Sequence, residues 1–366
     1  MRQRRSAMTV DARIPVTTPT GAGYDVVVGR SLTDEIRMSL APGVEQVLIV
    51  HQPTLADQAE RLRQELAPLQ VLLAEVPDAE EGKRVEVAQF CWKILGEAAF
   101  TRSDAVIGLG GGAATDLAGW VAASWLRGIQ VIQIPTSLLA MVDAAIGGKT
   151  GVNTAEGKNL VGAFYPPRAV IVDTDFLPTV PANELVASFG EIVKYGFIGA
   201  PDILDLLETD PNAALDVHGD VLPRIIRESI QLKASVVSED FREAGQREML
   251  NYGHTFGHAV EYCERYRWRH GAAVSVGMMF AAELSRLLGR IDDTCVERHR
   301  SILTGLGLPT RYRGGAWEEL FTAMHRDKKA RGSVLRFVLL GRDGRPGIVV
   351  GPDPHLLVAA YQAIAE

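Results

Sequence analysis

The sequence predicts an α/β domain built on a doubly wound, mostly parallel sheet, followed by a mainly α-helical domain. Two observations predict it. Up to about residue 173, short uninterrupted apolar runs alternate with segments of helical period, the pattern of parallel strands covered on both faces. From Pro181 onward helical periodicity takes over, punctuated by Pro201, Pro211 and Pro223 at positions suited to helix starts. The 366 residues exceed one ordinary core, so two domains of roughly 150–200 residues are expected.

In chain order, strands are expected at 24–28 (YDVVV), 46–51 (QVLIVH), 71–76 (VLLAEV), 105–109 (AVIGL), 131–134 (VIQI) and 169–172 (AVIV). The turn PDAEEGK after the third opens a helix that runs to about Ala99. The expected division places a disordered N-terminal extension at 1–12, the α/β domain at 13–178 and the helical domain at 179–366. Apolar stretches at 335–340 and 347–350 suggest a small hairpin before a terminal helix. The seam between the halves is the natural place for a cleft.

Composition narrows the function classes. Hydrophobic content of 47% and charged content of 23% are those of a soluble globular protein. A net charge of −7 with no basic block argues against nucleic acid as a partner, so any anion site must be local. Cys91, Cys263 and Cys295 are dispersed and odd in number, with no C-x-x-C pair, which fits a reducing cytoplasm. The basic opening MRQRRSA leads into no apolar core, unlike a signal peptide, and Met8 is a second candidate start. No run of 18 apolar residues exists, so no membrane span is expected.

Four stretches carry chemistry. IGLGGGAATD follows a strand and opens a helix, so Gly108, Gly110, Gly111 and Gly112 can turn the backbone and aim N–H groups at a pyrophosphate. Two Gly-Lys units follow, Gly148-Lys149 and Gly157-Lys158, with Asp143, Asn153 and Asn159 nearby. Lysines on glycine loops beside an acid suit an anionic or hydroxylated ligand. In FGEIVKYGFI, Glu191 and Lys194 stand at i and i+3 on an otherwise apolar helix. The fourth is REMLNYGHTFGHAVEYCERYRWRH. Set on one helix, Arg247, Asn251, His254, His258 and Glu261 share a face. Gly253 and Gly257 fall in mid-helix there, at a cost of about 1 kcal/mol each relative to Ala, which suggests close approach to the backbone. With His270, Glu191 and His254 would make a Glu/His/His set that leaves coordination open, as in catalytic zinc sites.

Together, GGGAATD, MVDAAIGGKTGVN, GKNLVGAF, GEIVKYG and LNYGHTFGHAVE resemble the 3-dehydroquinate synthase family of sugar-phosphate cyclases, in that family's order and spacing. The likeness runs from about Val16 to the end. It implies a cytosolic homodimer with an N-terminal NAD-binding α/β domain and a C-terminal helical metal domain. The implied reaction converts 3-deoxy-D-arabino-heptulosonate 7-phosphate to 3-dehydroquinate and phosphate, in the shikimate route to aromatic compounds. Its course would be transient oxidation by NAD, β-elimination of phosphate, re-reduction, ring opening and an intramolecular aldol. The resemblance implies zinc or cobalt on Glu191, His254 and His270. It places NAD against Asp78–Lys83, Gly110, Gly111, Gly112, Asp116, Thr136, Ser137, Lys149, Lys158, Phe176 and Thr179. Substrate would meet Asp143, Lys149, Asn159, Lys194, Lys233, Arg247, Asn251, His258 and Lys328 or Lys329. Within that set, Arg247 and Lys233 would take the carboxylate, and Lys149, Asn159, Asn251 and His258 the phosphate. Arg127 would reach the neighbouring subunit's phosphate site. Glu261 is left with a structural role.

The chain departs from the family pattern at Gly190, where Ala is more usual, and at Ala113-Ala114-Thr115. Four other readings compete. An amino-dehydroquinate synthase would keep the Arg247/Asn251/His258 set, whereas a valiolone-forming cyclase would not need its carboxylate-binding part. A metal-dependent polyol dehydrogenase of the glycerol dehydrogenase type would release NADH. A non-enzymatic NAD or metal sensor would lack ligands that are all present here.

Overall fold

The computed structural model describes residues 8–19, 21, 23–327 and 334–366. The chain forms two compact units, Met1–Val180 with Lys233–Arg242, and Pro181–Leu232 with Glu243–Glu366. The first break falls two residues from the expected 178/179. The grouping of 233–242 with the first unit has no counterpart in the local sequence pattern.

The first unit comprises β1 (Thr9–Val16), β2 (Tyr24–Arg30), α1 (Thr33–Ser39), β3 (Gln46–His51), α2 (Ala56–Glu65), β4 (Gln70–Glu75), α3 (Val85–Glu97), β5 (Ala105–Gly110), α4 (Gly112–Ser124), β6 (Gln130–Pro135), β7 (Lys149–Thr154), β8 (Gly157–Phe164) and β9 (Ala169–Asp173). Seven strands form one sheet in the order β1-β2-β9-β6-β5-β3-β4, parallel except for β1. Alternation splits each central strand between two cores. Val47, Ile49, Ala105, Ile107 and Ile132 pack with the α1 and α2 side chains Ile36, Ala59 and Leu62. Leu48, Val50, Val106 and Val131 pack with Ala88, Leu95, Leu117 and Val121 of α3 and α4. Each buried Val, Leu or Ile among them contributes roughly 1.5–3 kcal/mol, which is why both faces of the strands read as apolar.

Two expectations need correction. Residues 9–12 belong to β1 rather than to an extension, while 1–7 lie outside the described residues. As an edge strand with exposed alternate residues, β1 carries half the apolar signal of its neighbours. The Gly-Lys segment is an antiparallel hairpin of β7 and β8, not a pair of loops. Its outer strand is exposed along most of its length, so no apolar run marks it.

The second unit is helical. It contains α5 (Ala182–Ile198), α6 (Pro201–Thr209), α7 (Pro211–Leu215), the start of α8 (Val221–Glu239), α9 (His254–Cys263), α10 (His270–Leu287), α11 (Asp293–Gly305), α12 (Trp317–Asp327), the hairpin β10 (Arg336–Leu340) with β11 (Pro346–Val350), and α13 (Pro354–Ile364). Helix α10 is its axis: thirteen of its residues from Ala273 to Ser285 are buried, and α5, α9, α11 and α13 all pack on it.

Candidate functional site

Two helix crossings without side chains between them build the metal-type cluster in the second unit. A Cβ on Gly190 would lie 2.2 Å from Gly271 O, and one on Gly271 only 1.7 Å from Ala187 O. Backbone therefore touches backbone where α5 meets α10, and the next residues are Glu191 and His270. Likewise a Cβ on Gly277 would lie 2.0 Å from Gly253 O, which seats the start of α9, and so His254, against α10. The departure at Gly190 thus has a physical meaning: an alanine there requires α5 and α10 to stand farther apart.

The outcome is convergence on one oxygen. Glu191 is fully buried, and its Oε1 lies 3.2 Å from His254 Nε2 and 3.0 Å from His270 Nε2. His254 Nδ1 donates to Tyr252 O at 3.1 Å, which leaves its Nε2 lone pair facing the cluster. His270 Nδ1 lies 3.3 Å from Glu261 Oε2, so the carboxylate holds that ring in the same way. Burial alone would raise the Glu191 carboxyl, but the Lys194 ammonium beside it and the two imidazoles hold it well below its ordinary value. Burial lowers His254, with Glu191 opposing. Burial would also lower His270, yet hydrogen bonds to Glu191 and Glu261 push it up to about 10.

This donor set fits a divalent ion. Ligand atoms of Glu191, His254 and His270 lie within 4.8 Å of one another. One carboxylate and two imidazoles leave coordination positions for substrate oxygens. Glu191 Oε2 is buried without a hydrogen bond, although the Lys194 ammonium stands against it.

The single helical face expected from Arg247 to Glu261 does not exist. Arg247 and Asn251 sit on a 3-10 turn, Gln246–Asn251, and α9 begins anew at His254. Gly253 is not in mid-helix: it takes a left-handed φ of 79° before the first turn, where a Cβ would meet Met278 N at 2.9 Å. Only His254, His258 and Glu261 share the α9 face, with the His254 and His258 rings 5.3 Å apart. The backbone approach expected from Gly253 and Gly257 is that of α10, since a Cβ on Gly257 would be 3.1 Å from Ala273 O. Arg247 is buried, and Asn251 Nδ2 donates to Glu243 Oε1 at 3.1 Å. Glu261, expected to be structural, stands behind the His270 ring, seven positions after His254 on the same α9 face.

In the first unit, the expected nucleotide residues gather after the carboxyl ends of parallel strands, where open α/β sheets bind ligands. Chain order diverges at β3, with β4 on one side and β5 on the other. Beside that point, Gly110 ends β5 against α4 so tightly that a Cβ would lie 2.7 Å from Ala114 Cβ. Gly111 caps α4 with no side-chain bond to its first-turn amides, which suits an anion. Thr136 N donates to Gly110 O at 3.0 Å, and Ser137 Oγ accepts from Ala140 N at 3.3 Å. Phe176 and Thr179 lie on the turn after β9, and Asp78 opens the turn after β4 that carries Lys83.

Lys83 joins groups that the sequence kept apart. Its buried ammonium lies 2.6 Å from Asp116 Oδ2 and also bonds Asn159 Oδ1. Burial pushes the Asp116 carboxyl up, with Lys83 opposing. Lys149 begins β7 and is exposed, while Lys158 on β8 stands 3.9 Å from Glu80 Oε1. Asp143 lies in a π-helical turn, Ala140–Ala144, and its Oδ1 and its carbonyl each lie 2.5 Å from Lys233 Nζ. Arg127 is exposed between α4 and β6, with φ of 65° after a Leu126 at 48°. Lys328 and Lys329 lie outside the described residues.

Comparison with known proteins finds two family models that divide the chain within α5, at 187/188. Residues 73–187 match the family model described as 3-dehydroquinate synthase N-terminal, and 188–330 the model described as 3-dehydroquinate synthase C-terminal. A 3-dehydroquinate synthase of Leifsonia xyli subsp. xyli is 60% identical over 344 residues, covering 94% of this chain and 96% of that protein. One from Arthrobacter sp. (strain FB24) is 58% identical over 356 residues, 96% of this chain and 98% of that one. Among solved structures, a 2-epi-5-epi-valiolone synthase from Streptomyces hygroscopicus subsp. jinggangensis 5008, with NAD+ and Zn2+ bound, aligns with a TM-score of 0.84 at 25% identity, over 99% of each chain.

Proposed function

The chain belongs to the 3-dehydroquinate synthase family, and on that premise we propose how its residues divide the work of the reaction. It is a phosphate-eliminating cyclase that converts 3-deoxy-D-arabino-heptulosonate 7-phosphate to 3-dehydroquinate and phosphate in the shikimate pathway. It uses NAD and a divalent metal, zinc or cobalt. When bound, these supply a reversible hydride acceptor and a Lewis acid that lowers the pKa of a coordinated hydroxyl by several units.

Glu191, His254 and His270 hold the ion, with the Tyr252 carbonyl and Glu261 retaining the Nδ1 protons of the two imidazoles. The amides at the start of α4, with Gly110, Gly111 and Gly112, cradle the dinucleotide's pyrophosphate. Lys83 and Asp116 fix its position together with Asp78, Thr136, Ser137, Lys149, Lys158, Phe176 and Thr179. Arg247 takes the substrate carboxylate with its planar fork, aided by Lys233, whose ammonium Asp143 orients. Lys149, Asn159, Asn251 and His258 receive the phosphate, with Lys328 or Lys329. The departing phosphate itself accepts the proton lost in β-elimination, so no strong protein base is needed. Lys194 keeps Glu191 ionised. The protein's main contribution is to position one flexible, highly charged substrate. We further infer a cytoplasmic homodimer in which Arg127 of each subunit serves the other's phosphate site; among the described residues no helix is long and apolar enough to cross a membrane.

The observation that carries the metal assignment is the approach of both Nε2 atoms to Glu191 Oε1. The test is incubation of the purified protein with heptulosonate 7-phosphate, NAD+ and zinc, following phosphate release and the mass of the carbocycle. Metal-dependent phosphate release with no net NADH is expected. Steady NADH accumulation with a polyol would instead support the dehydrogenase reading, and turnover of a heptulose phosphate lacking the carboxylate would remove the role given to Arg247.

A further inference from the structure

The chain bends sharply between the turn that carries Arg247 and Asn251 and the helix that starts at His254. One residue grips both sides of this break. Arg336, the first residue of β10, donates from Nε to Glu248 Oε1 at 3.0 Å and from Nη2 to Glu248 Oε2 at 2.8 Å. Its carbonyl accepts from Thr255 Oγ1 at 2.9 Å. Glu248 directly follows Arg247, and Thr255 directly follows His254. The bend itself is pinned from another side, where Tyr252 Oη and His299 Nε2 are 2.9 Å apart.

The 3-10 turn and α9 are separate hydrogen-bonded segments joined through Gly253, the residue with the least intrinsic stiffness. Helical geometry therefore cannot transmit the position of His254 to Arg247. A tie from outside adds to the local bond between His254 Nδ1 and Tyr252 O, and a fork-to-fork Arg–carboxylate pair brings geometric specificity as well as energy. Glu248 is 15% exposed and Arg336 34%, so the pair is only partly shielded from solvent. We propose that Arg336 is a positioning residue, which holds the substrate-carboxylate group Arg247 in register with the metal ligand His254. This rests on the assignment of Arg247 to the substrate.

The test uses Arg336→Lys and Glu248→Gln in the full-length enzyme loaded with NAD+ and zinc. Lysine keeps the charge but not the fork. Both variants should raise KM for the heptulosonate phosphate about tenfold while kcat stays within about threefold and zinc content is retained. The double variant should be no worse than the more severe single, since the two residues act as one unit. Hydrogen exchange should quicken in peptides covering 246–252 and remain unchanged in 271–287. An unchanged KM, additive single effects, or protection lost evenly over the whole unit would overturn the proposal. Arg247→Gln separates the premise from the inference. If KM is unmoved in Arg247→Gln, the assignment of Arg247 falls, and exchange at 246–252 in Arg336→Lys still decides whether the tie exists.

Discussion

His270 is held between two carboxylates, with Nδ1 3.3 Å from Glu261 Oε2 and Nε2 3.0 Å from Glu191 Oε1. Glu191 faces the position an ion would take, whereas Glu261 stands behind the ring and sets its orientation. Removing such an outer partner typically costs 10–100-fold in metal affinity. Glu261→Ala should therefore weaken zinc binding by about that factor, measured by chelator competition on the purified protein. Glu261→Gln should lose less, because its amide oxygen still accepts from Nδ1. Equal affinity in all three proteins would show that Glu261 plays no part in the site.

The crossing of α5 and α10 gives a second expectation. Gly271→Ala puts a methyl group where Ala187 O already stands 1.7 Å away, so the helices must separate. Overpacking of this kind costs about 1–3 kcal/mol. The shift also moves His270 from Glu191, so zinc affinity should fall along with the urea midpoint. A stable variant with unaltered zinc affinity would mean that the crossing does not set the ligand distance.

His299 makes stability depend on pH. It is fully buried, stacked on Phe197 at 3.4 Å, and bonded to Cys295 O and Tyr252 Oη. Burial lowers its pKa from 6.5 to about 4. Between those values the unfolded chain binds a proton that the folded one does not, so stability falls as pH falls from 6.5 toward 4. The full difference is about 3 kcal/mol, from 1.36 kcal/mol per pKa unit. Urea titrations at several pH values should show a shallower decline for His299→Gln than for the parent. Parallel slopes would assign the acid sensitivity to other groups.

Much of this was legible beforehand, for local reasons. The central strands of the large sheet are buried on both faces and therefore appear as apolar runs. The glycine turn before α4 is a short-range conformational demand, visible wherever it occurs. Glu191 stood out as a carboxylate on an otherwise apolar helix, where an unused charge is costly, whereas the two imidazoles were assigned by the family resemblance. What escaped notice was non-local or masked by shared periodicity. A 3-10 turn followed by an α-helix presents residues at nearly the spacing of one helix, so the only trace of the bend in the pattern was the glycine at 253 itself. The bonds of Lys83 to Asp116 and Asn159 join residues 33 and 76 positions apart, and that of Lys233 to Asp143 spans 90.

Read alone, the sequence determined the kinds of donor and their order, the parallel sheet, the glycine turn and the family to which the chain belongs. Only the tertiary structure decided that His254 and His270 converge on one oxygen of Glu191, that Glu261 stands behind His270, and that Arg247 sits on a different segment from His254. The physical reason lies in range. Strand burial and turn geometry are set by residues a few positions apart. The separation of donors 63 and 79 residues apart is set by how closely helices pack, and here that is governed by glycines at 190, 253, 271 and 277.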